Sequence, residues 1–221
     1  LIIGPVLMNK SGSFATQLMN LEFASLAAVT AGSAGAGAPL MCNGTNLLFE
    51  RNVLNVISNI YDTSILSGDD MFLLQEVKKQ SRDDIGYCKS LDAAVYANPP
   101  ETLSEFIHQR VRWTSKGKHY SDREITGTAL LVLVMSLFLV GTLVSSFFST
   151  YGLILFLGLF CMKSVVDYFL LYSFTRYFEI TNLLKLFYFF PVQILYPFYV
   201  LLVAIKSQAG YYWKGRYSKS V

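Results

Sequence analysis

The sequence predicts a two-part chain: a mixed α/β segment over residues 1–122, then an α-helical membrane region over residues 123–221. Three observations predict it. Charged residues make up 15% of the chain and hydrophobic ones 53%, whereas soluble domains carry roughly 25% charged residues. The charge is also unevenly split. Residues 1–124 hold 11 Lys+Arg against 13 Asp+Glu, a net of −2, and residues 125–221 hold 7 against 2, a net of +5. Finally, the run from Ile125 to Phe148 contains no charged residue, which is long enough to span a bilayer. An acidic half before a basic, apolar half fits a soluble domain fused to a membrane region. It argues against nucleic acid as the main partner.

The elements follow in order. "LIIGPV" at the start reads as the interior of a strand. It lacks the charged region and small-residue cleavage site of a signal peptide, so the chain is expected to begin partway through a larger protein. Residues 14–30 place Phe14, Leu18, Leu21 and Ser25 at near-helical spacing and predict a helix. Ala31–Pro39, "AGSAGAGAP", reads as a small-residue loop. "LMCNGTNLLFER" reads as a short buried strand interrupted at Asn43-Gly44, with a helix starting near Arg51. "FLLQEVKKQ" is a helix with Leu73, Leu74 and Val77 inward, and "KSLDAAVYANPPE" a strand halted by Pro99-Pro100. From Thr102 to Thr114 a further helix is expected, with Thr102 or Ser104 as its N-cap and Leu103, Phe106, Ile107 and Val111 on one face.

The membrane region holds two further candidate spans. "YGLILFLGLFCMKSVVDYFLLYS" contains Lys163 and Asp167, and "LLKLFYFFPVQILYPFYVLLVAI" is interrupted by Pro191 and Pro197. Basic residues before the first span (Arg110, Arg112, Lys116, Lys118, Arg123) place that side in the cytosol, and Arg176 and Lys185 place the second link there too. The basic tail then conflicts with three full crossings. Either the proline-broken segment is re-entrant or the charge rule fails for this tail. Cys42, Cys88 and Cys161 match no metal or redox spacing and fit buried thiols in a reducing compartment. In the cytosol the sequon Asn43-Gly44-Thr45 is not a glycan site.

Two short stretches carry candidate chemistry. "SGDDMFLL" has the form of a capping box, with Ser67 as N-cap and Asp70 at N3. Carboxylates in a first helical turn are stabilised by the helix dipole, which explains one acid more easily than Asp69 and Asp70 in a row. A metal would need ligands that the nearby sequence does not offer. On the Thr102–Thr114 helix, Gln109, Arg112 and Trp113 fall together on the flank of the apolar face. An amide, a guanidinium and an indole just before a membrane entry suit either an interfacial helix or a binding site.

Taken together, "CNGTNLLFERNVL", "SGDDMFLL", "HQRVRW" and the apolar spans resemble, in that order, the C-terminal half of a membrane-bound family 2 glycosyltransferase. That family includes the cellulose, hyaluronan and chitin synthases and ceramide glucosyltransferase-like enzymes. Gly68-Asp69-Asp70 stands where the family has an acidic Thr-Glu-Asp-type triplet. Gln109-Arg110-Val111-Arg112-Trp113 matches its Gln-x-x-Arg-Trp motif at the family's separation. The resemblance runs from Gly4 to Trp113 and more loosely through the spans and the "WKGRY" tail.

It implies a partial GT-A (Rossmann-like) domain and an inverting hexosyltransferase at the cytosolic face of a multi-pass membrane protein, here a bacterial inner membrane. The sugar would pass from a nucleotide-sugar donor, a UDP-sugar, to a polysaccharide or lipid acceptor in cell-envelope biosynthesis. Asp70 would be the base that deprotonates the acceptor hydroxyl, with Asp69 beside it. Arg112 and Gln109 would face the leaving diphosphate, Trp113 would stack on the acceptor sugar, and Asn43, Gly44 and Thr45 would floor the acceptor pocket. The family's Mg²⁺ or Mn²⁺ is held by an Asp-x-Asp motif, and none occurs in these 221 residues. No metal ligands are therefore expected within the chain, and the chain alone is expected to lack the donor half and to be inactive. Two other readings stand beside this one. Lys163 and Asp167 motivate a membrane transport or scaffold subunit, although at i,i+4 they also suit a structural pair. A non-catalytic relic of a transferase is the third.

Overall fold

The computed structural model describes residues 1–10, 12–51, 53, 68–213 and 216–218, with backbone alone over 211–218. Helix dominates, at about 70%. The first part holds three helices, α1 (Phe14–Gly35), α2 (Asp69–Gln80) and α3 (Leu103–Thr114), and short strands. Residues 1–9 form one extended segment, bent at Gly4-Pro5 into β1 (Ile2–Ile3) and β2 (Val6–Met8). Strand β1 pairs antiparallel with β3 (Leu47–Leu48) and parallel with β4 (Gly86–Tyr87), and β2 pairs parallel with β5 (Val95–Ala97). Ile3 of β1, which has partners on both sides, is buried, and so are Val6 and Leu7 of β2, which among the described residues pairs with β5 alone. These sheets are small, and the described residues do not make up a Rossmann domain.

Local chemistry explains most element ends. Ser13 caps α1 by accepting from the Thr16 amide at 3.1 Å. Helix α1 continues to Gly35, beyond the loop boundary expected at Ala31, because alanine carries the helix through the small residues. Gly37, at φ 70°, supplies the left-handed residue that ends it. Thr102 caps α3 by accepting from the Glu105 amide at 3.1 Å, while the Glu105 carboxylate reaches back to the Glu101 amide at 3.0 Å. No strand precedes Asn43, and the paired residues, Leu47–Leu48, follow that loop. Beyond Val53 the helix expected from Arg51 lies outside the described residues.

Three long apolar helices make up the second part: α4 (Arg123–Ser146), α5 (Thr150–Tyr177) and α6 (Leu186–Lys206). Each is long and apolar enough to cross a membrane. Their outer surfaces expose large side chains such as Leu131, Phe138, Ile154, Phe169 and Ile205, a pattern that water disfavours and lipid accepts. Helix α6 runs unbroken through Pro191 and Pro197. It also lies against the first part near both ends. Phe187 meets Phe14 at 4.9 Å between ring centroids, and Val203 packs on Val111 of α3. Two strands, β6 (Tyr211–Trp213) and β7 (Arg216–Ser218), form an antiparallel hairpin after it.

The two parts are joined by buried polar groups. Lys78, 7% exposed, reaches Asp122 at 2.9 Å, Glu124 at 2.8 Å and the Pro39 carbonyl at 2.9 Å. Gln75 accepts from the amides of Ser121 and Asp122. Asp122 in turn caps α4. The entry to the first span is thereby bolted to α2, the helix that starts at Asp69.

Candidate functional site

Helix α2 begins at Asp69, and its N-cap is Gly68 at φ 103°, not Ser67 as the capping-box pattern suggests. Ser67 lies outside the described residues, and Asp70 is the second residue of the helix rather than the fourth of a box. Asp70 is held instead by partners distant in sequence. Its Oδ2 accepts from the Gly44 amide at 2.9 Å and its Oδ1 from the Met71 amide at 2.9 Å. The Cys42 thiol donates to its carbonyl at 3.1 Å. Asp69, by contrast, is exposed.

The loop that carries Gly44 is itself fixed. The Thr45 amide donates to the Asn43 side chain at 3.0 Å and the Asn46 amide to the Asn43 carbonyl at 3.0 Å, closing a tight turn. Asn46 then donates to the carbonyls of Pro5 at 2.9 Å and Ala93 at 2.8 Å, anchoring the turn to the link between β1 and β2 and to the segment before β5. A Cβ on Gly44 would stand 3.4 Å from the Asp70 Cβ, so the backbone approaches the acid as closely as an ordinary contact permits. Asn43, Gly44 and Asp70 thus form one unit; the Thr45 side chain is exposed.

Helix α3 presents its motif residues differently from the helical-wheel expectation. Phe106 and Val111 are buried, but Leu103 is 65% exposed. Gln109 and Trp113 gather about Arg110, not Arg112. Arg110 donates to the Gln109 side-chain oxygen Oε1, and its guanidinium lies 4.4 Å from the Trp113 ring centroid and 4.6 Å from that of Phe106. Arg110 is 3% exposed and pairs with Glu22 of α1, itself 5% exposed, through its Nε at 3.0 and 3.2 Å and through Nη2. The Tyr199 hydroxyl on α6 completes the set, donating to Glu22 at 3.0 Å. Burial disfavours the guanidinium charge, but the Glu22 carboxylate outweighs it and holds Arg110 above its ordinary value.

Arg112 is half-buried. Lys116, in the 3₁₀ turn after α3, carries an ammonium that feels the charges of Arg112, Asp70 and Asp69. Burial and Arg112 push it down to about 8, against the opposing pull of the two acids. Lys116 lies directly over Gly68: a Cβ there would be 2.6 Å from the Lys116 Cδ. Gly68→Ala is therefore expected to cost about 1–2 kcal/mol from the left-handed backbone alone, plus the displacement of Lys116. Thermal unfolding in detergent checks this, and a variant as stable as the parent contradicts it.

Tyr120 lies close enough to Asp70 to feel its charge. Its ring meets Phe72 at 5.8 Å, and burial, reinforced by Asp70 and Cys42, pushes its hydroxyl well above the ordinary range. Burial likewise pushes the Cys42 thiol up, with Asp70 adding to it. Cys42, Lys116 and Tyr120 lie close to Asp70 although sequence reasoning did not assign them to the site.

The two acids do not fit a divalent ion on their own. Among the described residues no three His, Cys, Asp or Glu side chains converge. In the membrane region, Lys163 reaches Asp167 and Gln193 at 2.6 Å each and lies 4.9 Å from the Tyr196 ring centroid. This satisfied cluster ties α5 to α6, as a structural pair would. Comparison with known proteins finds no matching family model, no similar curated protein and no similar solved structure.

Proposed function

We propose that this chain is the acceptor-side and membrane part of an inverting glycosyltransferase with a GT-A-type catalytic domain. In this reading it transfers a sugar from a UDP-sugar to a glycan or lipid acceptor at the cytosolic face of a bacterial inner membrane. The observation that carries the reading is the Gly44–Asp70 hydrogen bond, with Lys116 lying over Gly68 at the start of the same helix. Two stretches separated in sequence, both among those that resemble the family's motifs, meet around one carboxylate, and Lys116, three residues after the third such stretch, lies over Gly68.

The chemistry follows from the residues. Asp70 accepts two amides and has lone-pair capacity left for an acceptor hydroxyl, whose proton it takes as the oxygen attacks the anomeric carbon. Arg112 offers a planar fork to the diphosphate as negative charge grows on it. Trp113, stacked on Arg110, presents its other face to the acceptor ring. Gln109 acts through Arg110 to keep that arrangement. The divalent ion that the resemblance implies would be held by residues other than these.

The test is donor turnover. Membranes carrying the protein expressed from its complete gene are incubated with UDP-glucose, UDP-N-acetylglucosamine or GDP-mannose, and nucleoside diphosphate release is followed. Protein-dependent release of UDP from a UDP-sugar is expected. Release from none of the donors overturns the proposal.

A further inference from the structure

Lys116 has a property that the proposed roles of Asp70 and Arg112 do not require. It is 6% exposed, yet among the described residues no hydrogen bond or ion pair within 4 Å reaches its ammonium. A buried cation in that state is costly unless something compensates it. The other buried lysine in this part, Lys78, has three such partners. The cost at Lys116 is maintained by the fold. Gly68 has a left-handed backbone and no side chain, and the lysine stem occupies the space a Cβ would need. The ammonium is carried to the start of α2, beside Asp69 and Asp70, with Arg112 four residues earlier in the chain.

We infer that Lys116 is a phosphate ligand at the start of α2. A buried ammonium with no bonded partner, set at a helix N-terminus, is matched by an anion, and a diphosphate offers it oxygens. The inference rests on the transferase reading for the anion's identity: the leaving nucleoside diphosphate. It makes Lys116 an anion ligand in addition to the motif residues. The rival explanation is that Lys116 only balances Asp69 and Asp70 and touches no ligand.

Sulfate is the probe, because its charge is constant between pH 7 and pH 9. Its affinity for the full chain in detergent is measured by titration calorimetry. Lys116→Gln is expected to weaken binding at least tenfold, and Lys116→Arg to stay within threefold of the parent. Should Lys116→Gln not fold, the parent supplies the test. Its sulfate affinity is expected to fall several-fold from pH 7 to pH 9 as the ammonium loses its proton. The charged groups facing that ammonium are Arg112, Asp69 and Asp70. Affinity unmoved by Lys116→Gln or by pH, or no sulfate binding at all, overturns the proposal. Lys116-dependent binding in a protein that turns over no nucleotide sugar keeps the anion site and removes the transferase reading. Sugar transfer with sulfate affinity indifferent to Lys116 does the reverse.

Discussion

Asp70→Asn is expected to lower the rate of sugar transfer by about 10²–10⁴-fold, the range for loss of a general base, while leaving the protein folded. Asparagine has nearly the same shape but only one acceptor oxygen. Asp70 accepts from both Gly44 and Met71, so one of those amides loses its partner, at a cost of about 1 kcal/mol. The thermal midpoint should therefore move by only a few degrees while kcat collapses. Asp69→Asn is the contrast. Asp69 is exposed and holds no amide, so its loss should reduce transfer far less. Equal losses from the two variants would mean that the acids act as a pair and that Asp70 has no separate role. An Asp70→Asn enzyme with parental kcat would remove the base assignment altogether.

Glu22→Ala is expected to be the most destabilising single change, costing about 3–5 kcal/mol, because it strands a buried, permanently charged guanidinium. Glu22 receives Nε and Nη2 of Arg110 and the Tyr199 hydroxyl, linking α1, α3 and α6 through one carboxylate. Lysine could not replace Arg110 in this fork geometry. For a chain of this size each kcal/mol corresponds to about 2–4 °C in the midpoint, so a drop of about 10 °C is the expected reading in detergent. The double variant Glu22→Leu/Arg110→Met removes both charges and should recover much of the loss. A single variant within 1 kcal/mol of the parent would show that the guanidinium escapes to solvent. The same change should loosen Gln109 and Trp113, which are positioned by Arg110.

The helices were legible where periodicity and caps are local properties. Leu73, Leu74 and Val77 are buried as their spacing implies, Thr102 caps α3, and the three apolar helices stand where their composition places them. The end of α1 was misread because alanine and glycine alternate there and helix propensity outweighs loop composition. Strand partners were not legible: β1 meets residues 47–48 and 86–87, and no local pattern encodes such pairing. The site divides in the same way. The motif residues could be identified, but not their partners. A helical wheel places Gln109, Arg112 and Trp113 on one flank without knowing that Glu22, 88 residues away, fixes Arg110 between them. The Gly44–Asp70 bond spans 26 residues and is likewise a product of tertiary packing.

The central claim is that Asp70 directs an acceptor hydroxyl at the anomeric carbon of a nucleotide sugar. The most direct measurement is the anomeric configuration of the transferred sugar, read by proton NMR on product made from an α-linked UDP-sugar. In-line attack with Asp70 as base predicts a β-linked product. An α-linked product, or no transfer from any nucleotide sugar, would contradict it.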